Sequence, residues 1–76
     1  MRIEHDPTVD ALYLRLRSGH VAETVELTDS IYLDIDPDGH ILGAEFVNAG
    51  EFFAVLQRHG GHLDIPDHVD QLASVT

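Results

Sequence analysis

Between Ile31 and Val47 the chain alternates apolar and polar residues twice over, with Pro37-Asp38-Gly39 separating the two runs. A period of two marks a strand with one buried face. Pro-Asp-Gly is turn chemistry, because proline presets φ and glycine accepts a positive one. The segment therefore predicts a β-hairpin. Its first strand, residues 31–36, turns Ile31, Leu33 and Ile35 inward. Its second, residues 41–47, turns Leu42, Ala44 and Phe46 inward and Ile41, Gly43, Glu45 and Val47 outward. Residues 11–17 show the same period, with Leu12, Leu14 and Leu16 on one face and Tyr13, Arg15 and Arg17 on the other. In residues 21–27 the apolar face of Val21, Val25 and Leu27 is interrupted by Glu23, and such a charge is characteristic of an edge or a strand end. Arg2 to His5 can supply a short first strand.

After Val47 the period changes. Asn48 can cap a helix and Glu51 stands three residues on, the spacing of a capping box. Phe52, Val55 and Leu56 follow at i, i+3 and i+4, Phe53 extends the stripe, and Gly60-Gly61 stops the helix. His62 to Ile65 reads as extended, because Pro66 disfavours helix at the residue before it, and Val69 and Leu72 suit a last helical turn. The expected architecture is α+β: an antiparallel β-meander of four or five strands with a C-terminal helix packed on one face. Residues 1–76 form one domain, divided into the meander (1–48), the helix (49–60) and a C-terminal extension (61–76).

Composition narrows the function. A chain of 76 residues builds a thin core, worth about 3–5 kcal/mol, and often leans on a partner. There is no cysteine, so disulfides and thiolate metal sites are excluded. Fourteen acids against four arginines give a net charge of −10, which repels phosphate backbones and argues against nucleic acid. No apolar run approaches a membrane span or a secretory leader, so the expected location is the cytoplasm. Free sheet edges and a thin core predict a homodimer. The surplus of acid predicts a basic protein, such as a toxin, as the other class of partner.

Two motifs invite a site assignment. Asp34-Ile35-Asp36-Pro37-Asp38-Gly39 followed by Glu45 satisfies the calcium-loop pattern, but that loop needs a helix on each side. Alternating strands on both sides make this run a hairpin instead. Asp34 and Asp36 share a strand face about 6.5–7 Å apart without converging, so no tight calcium site is expected. His59 and His62 are three apart, but Gly60-Gly61 between them leaves their geometry unfixed. The metal candidates are thus the weak set Asp34, Asp36, Asp38, Glu45, His59 and His62, with no cofactor expected. No serine sits in a strand–turn–helix elbow, and no catalytic residue is assigned. The outward residues Tyr13, Arg15, Arg17, Tyr32, Asp34 and Asp36 form either a solvated face with cross-strand ion pairs, each worth roughly 0.2–1 kcal/mol, or a partner surface, since interfaces favour tyrosine and arginine. The leading expectation is a non-catalytic binding or assembly module. The alternative is a small enzyme or metal-dependent protein whose site forms at a subunit interface.

Two stretches carry a family resemblance. Ile3-Glu4-His5-Asp6-Pro7 with Asp10 to Leu16, and Asp34 to Phe46, resemble the two signatures of the domain of unknown function 2283 family, small prokaryotic proteins. The likeness covers about residues 1 to 50. The chain departs from the pattern at His5, where the family usually has an aromatic, and at Ala44, where it usually has isoleucine. The resemblance implies a prokaryotic origin and a compact β-rich fold, and places the aspartate run in a hairpin. It lends no activity.

Overall fold

The computed structural model describes residues 1–74. The strands are β1 (Arg2–Asp6), β2 (Ala11–Arg15), β3 (Glu23–Thr28), β4 (Ile31–Ile35) and β5 (Ile41–Phe46); they are followed by helix α1 (Ala49–Arg58) and a 3-10 turn, η1 (Val69–Ser74). All five strands pair antiparallel in one sheet, in the order β1-β2-β5-β4-β3. The hairpin β1–β2 and the meander β3–β4–β5 meet where β2 pairs with β5. Residues 16–22 form the one connection between successive strands that does not join sheet neighbours. This order places the apolar strands in the middle and the acidic strand β3 at an edge, as Glu23 predicted.

The core lies on one face. Leu12 and Leu14 of β2, Ile31 and Leu33 of β4, and Ala44 and Phe46 of β5 are buried there together with Val55 of α1. Ile41 departs from the expected outward position and is fully buried. A register shift between Asp34 and Ile35 pairs Asp34 with Gly43 but Ile35 with Ile41. That bulge breaks strict alternation, so the adjacent Ile41 and Leu42 are both buried.

Local chemistry fixes the helix ends. Asn48 Oδ1 accepts the Glu51 N–H at 2.8 Å, and the Ala49 N–H donates to the Asp10 carbonyl at 2.8 Å, tying the helix start to the β1–β2 turn. At the other end Gly60 and Gly61 take φ of 67° and 86°. The Gly61 N–H reaches the Leu56 carbonyl at 2.7 Å and the Gly60 N–H reaches that of Gln57 at 3.4 Å, a Schellman arrangement. Phe52 packs edge-on against Phe46, centroids 5.3 Å apart. Phe53 does not extend the stripe and is 62% exposed, because consecutive helical residues stand about 100° apart.

Helix α1 packs chiefly on β2 and β5. Leu63, Ile65 and Leu72 of the C-terminal segment also pack, partly buried, against this core. Leu14 and Leu33 are almost fully buried on either side of β5. Leu14→Ala and Leu33→Ala are each expected to cost about 2–5 kcal/mol. Urea midpoints would show it, and near-unchanged midpoints would mean the core lies on the other face.

Candidate functional site

Because the helix covers β2 and β5 and the C-terminal segment only skirts β4, a cleft remains between them. It has a volume of about 640 Å³. Ile31, Leu33, Ala44 and Phe46 make its floor, Val55, Arg58 and His59 one wall, and His62 to Pro66 the other, while Leu27 and Thr28 of β3 stand at its rim. The lining is mainly apolar, which is the chemistry of a binding pocket. Its shape depends on Gly60 and Gly61, whose positive φ values let the chain reverse after α1.

The middle of the C-terminal segment, residues 67–69, is fastened to the β4–β5 turn. The Ile41 N–H donates to the Asp67 carbonyl at 2.9 Å and the Val69 N–H to that of Gly39 at 2.8 Å. His68 Nε2 lies 2.7 Å from the Asp38 carbonyl, and the His40 and His68 rings meet edge-on at 5.4 Å. Gly39 is required twice over. Its φ is +88°, and a Cβ there would stand 2.6 Å from His68 Nε2. Asp36 organises the same turn, its Oδ1 accepting the Asp38 N–H at 2.9 Å and the His40 N–H at 2.8 Å, with His40 Nδ1 3.3 Å from Oδ2. Desolvation pushes this carboxyl up, but the two backbone donors and the His40 ring together outweigh it and hold Asp36 below the usual carboxylate range. Ligand atoms of Asp36, Asp38 and His40 lie within 4.8 Å of one another; the turn's own hydrogen bonds join Asp36 to His40, and Asp38 takes part in them through its backbone N–H.

The opposite face of the sheet carries a polar network. The Tyr13 hydroxyl donates to Asp34 Oδ2 at 2.8 Å, and the Thr24 hydroxyl donates to Asp34 Oδ1 at 2.7 Å. Burial first, then the hydrogen bond and charge of Asp34, push the Tyr13 hydroxyl up to about 12, against the opposing Arg15. Tyr13 reaches Asp34 by lying across Gly43, where a Cβ would collide with its ring and hydroxyl and stand 2.8 Å from the Leu14 carbonyl. Arg15 sits over the Tyr13 ring at 5.4 Å and bonds Glu4 at 3.3 Å.

The structure thus scatters the sequence candidates over four separate locations. Tyr13 and Asp34 meet on the outer face, where Tyr32 pairs across from Glu45 on β5. Arg17 instead reaches Asp67 at 2.8 Å, and Asp36 belongs to the turn. Among the metal candidates, Asp36 and Asp38 come together with His40, which the pattern had left out. Asp34 and Glu45 lie on the outer face, and His59 and His62 both line the cleft. Sequence reasoning missed the cleft itself; its one local signal was the Gly60-Gly61 reversal. No helix among the described residues is long and apolar enough to cross a membrane.

The arrangement defines a class of small α+β domain with one open polar sheet face and one apolar face only partly covered. The chain belongs to the DUF2283 family of proteins of unknown function, whose match spans residues 2–49. No curated protein and no solved structure matches the chain. The matched region holds all five strands, whereas most of the helix and the second cleft wall lie beyond it.

A carboxyl held below its ordinary value adds stability that is complete above the unfolded-state value and is lost as the pH falls through the folded-state value. Asp36→Asn keeps an oxygen for the two N–H donors but cannot titrate. The Tm advantage of the wild type over this variant is expected to hold at neutral pH and to shrink as the pH falls below the ordinary value of 3.8. An advantage that stays constant in acid would show that the turn does not depend on this charge.

Proposed function

We propose that this protein is a non-catalytic protein-binding module and that its working surface is the cleft beside β3. The observation that carries this reading is the cleft itself, an apolar concavity of about 640 Å³ in a small acidic domain. Open apolar patches rimmed by polar groups mark interaction sites. The side chains that could carry chemistry elsewhere are spent on structure: Asp36 and His40 hold a turn, and Tyr13, Thr24 and Asp34 bind one another. Such self-satisfied groups support a scaffold role for the outer face rather than a partner surface. The acidic surface favours a basic protein over a second copy, because each copy carries a charge of −10.

Leu27 is the direct probe, since it stands at the cleft rim and is 43% exposed. The partner would be recovered from native cells with the wild-type chain, identified by mass spectrometry, and titrated against purified variants. Leu27→Asp is expected to leave Tm within a few degrees and to weaken binding at least about tenfold, or about 1.4 kcal/mol. Arg15→Ala on the opposite face should bind as the wild type does. The reverse pattern would move the working surface to the outer face, and a wild-type chain that retains no protein would refute the module reading.

A further inference from the structure

The sheet has two edges, and they are not alike. At β1, Glu4 lies 3.5 Å from Arg2 and 3.3 Å from Arg15, and His5 lies 2.8 Å from Asp10. Glu4 at that edge is therefore matched by two arginines of the same chain, and the Asp6 carboxylate accepts the Thr8 N–H at 3.0 Å. At β3, Glu23 and Glu26 are exposed, and Asp29 follows in the turn. None of the three has an ion-pair partner among the described residues. Among the described residues, strand β3 pairs with β4 on one side and with no strand on the other, so alternate N–H and C=O groups along it point away from the sheet. Only β3, of the two edges, borders the large cleft, through Leu27 and Thr28.

We propose that β3 is a docking edge that takes a basic, alternately apolar segment of a partner protein as a sixth strand, with its apolar side chains entering the cleft. The proposal rests on the protein-binding reading above and specifies how the partner is held. Backbone bonds to the free edge supply affinity, and pockets for alternate side chains supply specificity. The register gives the side-chain pattern. Val25 stands opposite the buried Leu33 and so, like Leu27, belongs to the cleft face; Glu26 stands opposite Tyr32 on the outer face. Glu23 stands opposite the buried Ile35 and so shares the face of Val25. A strand laid along β3 therefore presents one set of side chains beside Val25 and Leu27, with Glu23 at its end, and the other set beside Thr24 and Glu26. Apolar residues suit the first set and Lys or Arg the second. The register shift between Glu26 and Thr28 ends regular pairing, so the docked stretch is short, about five residues. A second copy docking through the same edge would bring its own Glu23 and Glu26 alongside these, and directly opposed like charges destabilise strand pairs.

The test uses synthetic peptides of about eight alternating residues with the whole chain, followed by amide NMR and hydrogen exchange. A Lys/Val peptide is expected to protect outward-facing amides within residues 23–27 and to bind more weakly as salt is raised. The variant Glu26→Gln should lose about tenfold in affinity, and Glu23→Gln, on the apolar side of the docked strand, should lose less. A Glu/Val peptide, or a Lys/Val peptide N-methylated along one edge, should not bind. Strand addition is overturned if the Lys/Val peptide leaves β3 unprotected, if either control binds as well, or if the free chain pairs β3 with a second copy. Partner binding lost in Leu27→Asp while β3 stays unprotected would overturn strand addition alone and leave the cleft as the working surface. β3 protection with partner binding indifferent to Leu27→Asp would instead overturn the cleft reading.

Discussion

A helix of ten residues is about 15 Å long and about 10 Å across, whereas five strands spaced about 4.8 Å apart span roughly 19 Å between their outer axes. One short helix cannot cover such a face. Its placement is decided by Phe52 against Phe46 and by the bond from Ala49 to Asp10, which seat it over β2 and β5. The uncovered half falls to β4 and β3, and the C-terminal segment meets it only through a few side chains. The cleft follows from this mismatch in size together with the position of the helix.

Residues 61–69 stay near the sheet because they are held on both sides. Gly60 and Gly61 reverse the chain after the helix, and the contacts of Asp67, His68 and Val69 fasten it to the β4–β5 turn. That turn is itself arranged by Asp36. One carboxylate thus serves two levels of structure: it closes the hairpin, and it presents Gly39 and Asp38 to the tail. The outer face is organised by a different aspartate, Asp34, which receives Tyr13 across Gly43. Two acids of the same D-x-D run consequently face different tasks, and a cation cage would need both of them redirected.

The strands, the helix and its two caps were legible because each is written locally, in a period of two, a period of 3.6, or a capping residue. Ile41 was not legible, since its burial comes from a register shift created between two strands. Phe53 was misplaced by treating a single apolar neighbour as part of the helical stripe. The pairing of β2 with β5 also lay outside local pattern, although the charge of β3 pointed correctly to an edge. Of the site, the outward positions of Tyr13 and Asp34 could be read from alternation. The cleft could not, because its walls come from segments brought together by the path of the tail. The spacing of His59 and His62 is a local feature, but their place in the wall is a tertiary fact. The joining of His40 to Asp36 and Asp38 likewise depends on the tightness of one turn.

In the free protein the β3 edge stands open beside a partly covered apolar face. Amide hydrogen exchange on the isolated chain, measured at two protein concentrations, tests this most directly. The outward-facing amides of residues 23–28 are expected to exchange far faster than those of β2 and β5, equally at both concentrations. Protection of those β3 amides comparable to that of β5, rising with concentration, would show that the edge is already paired and would contradict the account.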